Sequence, residues 1–416
     1  MTKQLLQPPD PADVEIGLYI HVAFCRSICY YCDFNTYAGL GALIPRYVEA
    51  LAGEIAVLPS ALPDAPPIPR ARFRIGSIFF GGGTPSLLSP EQVATVLAAA
   101  HRWPVVEGAE ISLEANPGDL SLAHLRALRE VGVNRLSLGV QSFDDAMLRR
   151  LGRRHDAATA RAAYDQARHA GFDNVSLDLM FGLPGQTLDH WEATLDQALA
   201  LTPDHLSLYN LTIEAGTPFG TWAAAGKLSV PDDDAAADMY QAAFDHLGAA
   251  GYAHYEISNW ARGVGPSPLA ISDGGVRGVR PRDFRAQHNL RYWRNQPYFG
   301  VGAGAHSSFG GYRYANLRSP AGYVARIAAG ESPVESAEQI EWALATGETM
   351  LLGLRLAEGI DVDAFRERFG CSPDESFGPV LSELTAAGLL TVDSARICLT
   401  HRGRFLGNEV FCRFLP

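Results

Sequence analysis

The sequence predicts an α/β protein: a partial TIM-like (β/α)6 barrel with extra strands and helices, and a C-terminal winged-helix-like α+β domain. Between residues 16 and 211, short apolar runs rich in β-branched residues alternate with polar turns and helical stretches. From about Glu341 the pattern turns helical, and a short strand pair follows near 390–399. The predicted divisions are a tail over 1–15, the barrel over 16–260, a linker over 261–340 with a basic loop over 262–285, and the C-terminal domain over 341–416.

Each barrel unit has its own local signals. Ser89-Pro90-Glu91-Gln92 is a capping box with proline at the first helical position, and Gly132 and Gly171 lie where helix C-caps are expected. Strands that alternate with helices pair in parallel. The predicted strands are 17–21, 76–80, 110–114, 135–139, 174–178 and 205–209.

Composition narrows the function classes. A chain of 416 residues predicts two or three domains, and 34 basic against 46 acidic side chains give a net charge of -12. This charge repels polyanions, so nucleic acid is excluded as the main partner. No apolar run is long enough for a membrane span, and the first eleven residues lack the apolar core of a signal peptide. We therefore expect a cytoplasmic protein.

Three of the six cysteines are clustered directly after the first predicted strand. Cys25, Cys29 and Cys32 are four and three residues apart, a spacing that lets one loop hold three irons of a [4Fe-4S] cluster and leave the fourth iron open. The alternatives are a zinc knuckle or chance clustering, although zinc sites favour paired Cys-x-x-Cys halves and a fourth ligand. The remaining cysteines, Cys371, Cys398 and Cys412, are predicted to be core thiols.

Polar and glycine residues end several predicted strands. The glycine triplet 81–83 leaves the backbone bare for close approach of a ligand, or serves only as a tight turn. Glu114, Gln141 and Asp178 each follow apolar residues at the barrel edge where ligands bind, although each is also compatible with a helix cap or a loop-tying hydrogen bond. Tyr19 and His21 alternate on the first strand, so they share one face.

The cysteine pattern, with an aromatic residue before the third cysteine, resembles the radical S-adenosylmethionine (SAM) superfamily, and other motifs resemble its oxygen-independent coproporphyrinogen III oxidase group. Those motifs are Tyr19-Ile-His21, Phe80-Gly-Gly-Gly-Thr-Pro85, Glu114-Ala-Asn-Pro117, Gly139-Val-Gln-Ser-Phe143, Asp178-Leu-Met-Phe-Gly-Leu-Pro184 and Tyr255-Glu-Ile-Ser-Asn259. The resemblance implies a radical SAM barrel with a [4Fe-4S] cluster on the three clustered cysteines. It implies a SAM site formed by Tyr19, His21, Tyr31, Gly82, Gly83, Thr84, Glu114, Gln141, Arg153 and Asp178.

Within this group the chain resembles the haem chaperone branch. The porphyrinogen-oxidising members carry a fourth cysteine where this chain has Phe34, and a long N-terminal extension, whereas 24 residues precede Cys25 here. Two departures are Ala23 in place of the usual proline and a basic stretch before residue 288 that is longer than usual. The branch's His-Asn-x-x-Tyr-Trp motif implies a haem site at His288, Asn289, Tyr292 and Trp293, with His306 as a second candidate ligand; the alternative is a structural loop around a buried histidine.

The resemblance therefore implies a haem chaperone that binds haem, the cluster and SAM and delivers haem to acceptor haemoproteins. It also implies an electron donor for the cluster, a peripheral membrane contact without a membrane span, and a cluster-dependent homodimer. The alternative function is that of a coproporphyrinogen III dehydrogenase or related radical SAM methyltransferase that generates a 5'-deoxyadenosyl radical. A third class is a degenerate scaffold that binds a partner through its C-terminal domain.

Overall fold

The computed structural model describes residues 14–58, 73–263 and 282–416. They form two compact units, the first made of 14–58, 73–250 and 297–339, and the second of 251–263, 282–296 and 340–416. Residues 1–13 of the predicted tail and 264–281 of the predicted basic loop lie outside the described residues. Within the described ranges, no helix has the length and apolar character that crossing a membrane requires.

Strands and helices are numbered here in chain order. The strands are β1 (Val14–Val22), β2 (Phe24–Cys25), β3 (Tyr37–Ala38), β4 (Phe73–Gly82), β5 (Val105–Ala115), β6 (Arg135–Gln141), β7 (Val175–Phe181), β8 (His205–Asn210), β9 (Ala253–Glu256), β10 (Asn259–Ala261), β11 (Tyr298–Val301), β12 (His306–Phe309), β13 (Tyr312–Asn316), β14 (Val334–Gln339), β15 (Ile360–Asp361), β16 (Leu390–Val392) and β17 (Arg396–Leu399). The α-helices are α1 (Ile44–Val57), α2 (Pro90–Ala100), α3 (Leu122–Glu130), α4 (Asp145–Arg150), α5 (Ala157–His169), α6 (Leu188–Ala200), α7 (Pro218–Ala224), α8 (Asp233–Ala249), α9 (Gln287–Trp293), α10 (Pro320–Ala328), α11 (Trp342–Gly353), α12 (Val362–Phe369), α13 (Pro373–Ala386), α14 (His401–Phe405) and α15 (Gly407–Phe411).

A mostly parallel sheet organises the first unit. Its strand order is β14-β13-β12-β11-β1-β4-β5-β6-β7-β8. The six predicted strands correspond to β1, β4, β5, β6, β7 and β8, and each pairs in parallel with its neighbour. On the other side of β1, β11 also pairs in parallel, and β12 to β14 continue the sheet in antiparallel fashion. The predicted α/β class is confirmed, and the carboxyl ends of the parallel strands meet along one edge.

The local signals act as the sequence predicts. The Ser89 hydroxyl accepts the Gln92 backbone N–H at 3.3 Å, and the Gln92 side chain accepts the Ser89 N–H at 2.9 Å, which together start α2. Gly132 and Gly171 follow α3 and α5 with φ of 113° and 90°, a conformation in which glycine escapes the Cβ penalty. These caps fix where each helix ends before the chain returns to the sheet.

The second unit packs helices against a small antiparallel sheet. Its sheet has the order β15-β17-β16, and buried side chains from α11, α12 and α13 form one apolar core with it. The predicted strand pair near 390–399 is therefore present as β16 and β17. Of the three cysteines predicted to be core thiols, Cys371 is half-buried and packs against this core, and Cys398 is half-buried. The prediction is wrong for Cys412, which is exposed.

A buried carboxylate ties α1 to the antiparallel part of the first unit. Glu54 is 2% exposed, and its carboxylate accepts the Gly302 backbone N–H at 2.9 Å, the Asn316 amide at 2.7 Å and the Tyr323 hydroxyl at 2.6 Å. Burial raises the pKa of Glu54 to about 7, although the three donors oppose the shift. The carboxyl group thus joins a helix, a loop and two later elements at one point.

This raised pKa predicts a pH-dependent stability. A folded-state pKa above the ordinary value stabilises the fold fully below about pH 4.5, and that contribution is lost as pH rises through about 7, a change on the order of 3 kcal/mol. We expect Glu54→Gln to lower the free energy of unfolding, because an amide cannot accept all three donors, and to flatten its dependence between pH 5 and 8. Denaturant unfolding at both pH values measures this. Glu49→Gln, at an exposed position of α1, is the matched control, and an unchanged pH dependence in Glu54→Gln would contradict the assignment.

Candidate functional site

A cavity of about 350 Å³ opens at the carboxyl edge of the parallel strands. Most of the predicted cluster and SAM residues meet there, contributed by the loop after β1 and by the ends of β4 to β7. The predicted residues that line it are Cys25, Cys29, Tyr31, Cys32, Gly82, Gly83, Thr84, Glu114, Gln141, Arg153 and Asp178. Tyr19 and His21 are not among the lining residues; they lie beneath the cavity on β1.

The loop of residues 25–36, here named the cysteine loop, presents three free thiols to the cavity. The Thr84 hydroxyl lies 3.4 Å from the Cys25 Sγ, and the Arg153 Nη1 lies 3.4 Å from the Cys29 Sγ. Burial raises the pKa of the Cys25 and Cys32 thiols. Among the described residues, no three His, Cys, Asp or Glu side chains are arranged around a single metal ion.

Steric constraints explain why glycine occupies positions 82 and 83. A Cβ on Gly82, whose φ is 108°, would lie 2.6 Å from the His21 imidazole, and a Cβ on Gly83 would lie 2.6 Å from the Phe24 carbonyl oxygen. Only glycine permits β4 to approach β1 and the cysteine loop this closely. Gly82 and Gly83 also line the cavity, so the same bare backbone remains accessible to a ligand.

Tyr19 and His21 share one face, as predicted, and hold the cysteine loop from below. The His21 Nε2–H donates to the Asn35 carbonyl at 2.9 Å, so its Nδ1 accepts the Tyr19 hydroxyl at 2.9 Å. Burial lowers the pKa of His21, which keeps the imidazole neutral. These contacts give the pair a positioning role toward the loop.

Two carboxyl groups give the cavity its acidic side. Glu114 lies at the end of β5 and accepts the Gly82 N–H at 3.1 Å; burial and the nearby Asp178 raise its pKa to about 8. Asp178 accepts the Ser137 hydroxyl at 2.8 and 3.0 Å, and burial raises its pKa despite that bond. The prediction that Asp178 ends its strand is wrong: Asp178 is the fourth residue of β7, which continues to Phe181, and its side chain lines the cavity.

Arg153 supplies the basic side of the cavity. Its Nη2 donates to the Gly139 carbonyl at 2.6 Å, while its Nε is buried without a hydrogen-bond partner in the described part of the chain. Such an orphaned donor has a desolvation cost that a bound anionic group would remove.

Gln141 ends β6 with a φ of 69°, a left-handed conformation that is unusual for a residue other than glycine.

Sequence reasoning missed several residues that hold the site. The Asp119 carboxylate forms ion pairs with Arg26 of the cysteine loop at 2.9 Å and with Arg154 at 2.5 Å. One carboxylate therefore joins that loop to the residue next to Arg153. Ser137 and Met180 also line the cavity. A sequence signal for Ser137 exists: it occupies the same strand face as Arg135 and Gly139, where polar and small residues alternate with leucines.

The predicted haem residues lie in two different units. His288, Asn289, Tyr292 and Trp293 belong to α9 of the second unit, whereas His306 begins β12 of the first. His288 is 1% exposed, and its Nε2 lies 3.0 Å from the Tyr292 hydroxyl. Burial and Arg291 lower the pKa of His288 to about 3. The Arg355 guanidinium covers the Trp293 ring at 4.4 Å.

Comparisons with known proteins agree with this geometry. Residues 19–198 match the Radical SAM superfamily, and residues 345–406 match the HemN C-terminal domain. Heme chaperone HemW of Bacillus subtilis (strain 168) is 38% identical over 401 residues, 95% of this chain and 98% of that protein. Heme chaperone HemW of Escherichia coli (strain K12) is 34% identical over 96% of this chain and 98% of that protein. The chain belongs to the HemW family of radical SAM proteins.

A solved structure extends the agreement to the whole fold. The HemW-family chain superposes on coproporphyrinogen III oxidase (HemN) from Escherichia coli with a TM-score of 0.78 and 25% identity, covering 97% of this chain and 91% of that chain. That protein is described as a radical SAM enzyme. Superfamily membership implies a [4Fe-4S] cluster and SAM, and the residues of the cavity fit both: three thiols, a bare glycine edge and an orphaned Arg153 donor.

The left-handed backbone conformation of Gln141, at the cavity, is expected to lower the free energy of unfolding of this HemW-family chain. Gln141→Gly should raise the free energy of unfolding by about 0.5–1 kcal/mol, because glycine adopts this φ without a Cβ clash but loses more entropy on folding. Thr202→Gly, at a φ of 54° outside the cavity lining, is the matched control and should gain a similar amount. Denaturant unfolding measures both. A loss of stability in Gln141→Gly alone would mean that its side-chain contacts outweigh the backbone strain.

Proposed function

We propose that this HemW-family chain is a haem chaperone that carries a [4Fe-4S] cluster on Cys25, Cys29 and Cys32, binds SAM at the carboxyl edge of the sheet, and delivers haem to acceptor haemoproteins. The observation that carries the cluster and SAM is the convergence of three free thiols, bare glycines, two carboxyl groups and one arginine in a single cavity. The family relationship supports haem as the cargo, since the Bacillus subtilis and Escherichia coli relatives, which match nearly the whole chain, bear the name heme chaperone.

The charged residues of the cavity are suited to different groups of the SAM molecule. When bound, a cluster held by three thiolates supplies one open iron position for the amino and carboxylate groups of SAM. Arg153, with its unpartnered Nε, is suited to the SAM carboxylate. Glu114 and Asp178 provide oxygen atoms for the amino group, the sulfonium or the ribose hydroxyls, and Gly82 and Gly83 provide backbone groups that no side chain covers.

The protonation state of Glu114 affects how the cavity binds a cationic group of SAM. With a pKa of about 8, Glu114 is mostly protonated at neutral pH before a ligand enters. A cationic ligand group next to it favours the charged carboxylate and lowers this pKa, so binding releases a proton to solvent. Asp178, held by the Ser137 hydroxyl, keeps its orientation during the exchange.

The second candidate function is that of a coproporphyrinogen III dehydrogenase. The superposition on HemN over nearly the whole chain favours it, because the same barrel supports that chemistry in that protein. Phe34 argues against it, because this residue occupies the position of the fourth cysteine of the porphyrinogen-oxidising members and is 68% exposed.

We further propose that the chain has a cytoplasmic location, receives electrons from a donor, contacts a membrane peripherally and forms a cluster-dependent homodimer.

A haem transfer assay separates the two functions. The anaerobically reconstituted chain is loaded with haem, mixed with an apo-haemoprotein, and followed by the absorption of the acceptor; the same protein, reduced and supplied with SAM, is given coproporphyrinogen III. We expect haem to pass to the acceptor and the porphyrinogen to remain unchanged. Porphyrinogen turnover without haem transfer would replace the chaperone proposal with the enzymatic one.

The cluster assignment has its own test. Cys32→Ala should leave protein reconstituted with iron and sulfide nearly colourless, because loss of one thiolate from a three-cysteine site exposes a second iron. Cys412→Ala, which removes an exposed thiol of the second unit, is the matched control and should keep the full iron content. Iron analysis and absorption spectra measure both variants. Four irons in Cys32→Ala would remove Cys32 from the cluster.

A further inference from the structure

We infer that the axial haem ligand is His306, on the exposed face of β12 and β13, and that Arg313 of β13 and Arg318, two residues beyond β13, bind the haem propionates. The inference rests on the proposed haem chaperone function and identifies the site where that cargo binds. It differs from the site that the His-Asn-x-x-Tyr-Trp motif implies, because His288 lies in the other unit.

Accessibility distinguishes the two imidazoles. His288 is 1% exposed, and its Nε2 is engaged by the Tyr292 hydroxyl at 3.0 Å, so a haem iron could reach it only after α9 rearranged. His306 is exposed, and in the described part of the chain its ring makes no hydrogen bond. An axial ligand needs a ring nitrogen with an available lone pair, and His306 offers one without any rearrangement.

The strand register places an arginine on the same face as His306. His306 pairs with Ala315 and Ser308 pairs with Arg313, so all four side chains project from one face of the sheet. The opposite face is buried through Ser307, Phe309 and Tyr314. A planar ligand that coordinates His306 therefore meets the face that the apolar core leaves open, with Arg313 diagonal to the iron ligand.

Electrostatics favour a dianionic ligand at this position. Partial burial lowers the pKa of His306, and the positive charges of Arg313 and Arg318 lower it further. The imidazole is therefore in its neutral, ligating form at physiological pH. Two guanidinium groups close to one imidazole match the two propionates of haem, and carboxylates pair well with arginine. Arg313 is 3.6 Å from the exposed Glu338, and an exposed pair of this kind is weak enough to exchange for a propionate.

The proposed haem site is joined to the cysteine loop. The Asn35 amide donates to the Arg318 carbonyl at 2.9 Å and to the Ala303 carbonyl at 3.0 Å, and its own carbonyl accepts from His21. These bonds connect the cysteine loop to the segment between β11 and β12 and to Arg318. The geometry thus gives haem a place on the same unit as the cluster, next to the loop that carries it.

The test is a titration of the full-length reconstituted chain with ferric haem, followed by the Soret band. We expect His306→Ala to shift or abolish the band and free imidazole to restore it, while His288→Ala and the exposed control His101→Ala keep the original spectrum. Cluster content and SAM binding of His306→Ala, which should be unchanged, show that the variant is folded. An unaltered band in His306→Ala, or a loss that imidazole does not restore, would overturn the assignment.

The arginines are tested with haem dimethyl ester, which lacks propionate charges. Arg313→Gln and Arg318→Gln should each weaken haem binding about tenfold and leave binding of the ester unchanged, whereas Arg74→Gln, at an exposed site on β4, should change neither. Equal affinities of all three variants for haem would overturn the propionate assignment. If the unaltered chain binds no haem at all, the proposed chaperone function fails, and this outcome is distinct from a failure of the His306 assignment.

Discussion

The close approach of β1 and β4 at their carboxyl ends is the contact on which the cavity depends. His21 pairs with Gly81 and Val22 pairs with Gly82 in the sheet register, and the Gly83 N–H continues the ladder to the Val22 carbonyl at 2.8 Å. A side chain on Gly82 would occupy the space of the His21 ring. If that ring moved, the bond from His21 to the Asn35 carbonyl would be lost, and with it the support beneath the cysteine loop.

The cysteine loop is held at several further points, which explains how a segment with three half-buried thiols keeps one shape. Asp119 forms an ion pair with Arg26, and the Asn35 amide donates to the carbonyls of Ala303 and Arg318. The Tyr30 backbone N–H donates to the Leu151 carbonyl at 3.2 Å. These anchors come from elements far apart in sequence, so the loop is positioned only when the sheet has assembled. A preorganised loop of this kind lowers the entropic cost of holding a cluster.

The predictable part of the fold was the part with local signals. Six strands, their parallel pairing, the α2 capping box and the cysteine spacing all follow from residue patterns within about ten positions of each other. The contacts of Asp119, Asn35 and Glu54 had no such signal, because each of these side chains meets partners more than 25 positions away in the sequence or inside another element. For His288 the sequence left two possibilities open, a haem ligand and a buried structural histidine, since a histidine followed four residues later by tyrosine is compatible with either face of a helix.

The interior face of the parallel strands shows why the cavity accepts a polar ligand. Parallel strands covered on both faces are usually apolar throughout, yet here one face of β6, β7 and β8 is leucine-rich and the other carries polar side chains. These are Arg135 and Ser137 on β6, Ser176 and Asp178 on β7, and His205 and Ser207 on β8.

Buried polar groups of this number are tolerated only when they satisfy one another. Arg135 donates to Asn174 at 2.8 Å, and the Ser176 hydroxyl lies 2.8 Å from His205 Nδ1 and 3.4 Å from Asp178. Since a hydroxyl has one proton, the Ser176 proton can go to Asp178 only when His205 does not need it. The hydrogen bonding of Asp178, at the cavity, therefore depends on His205 of the neighbouring strand β8. The polar interior of the sheet supports the cavity by this network and is not a purely apolar core.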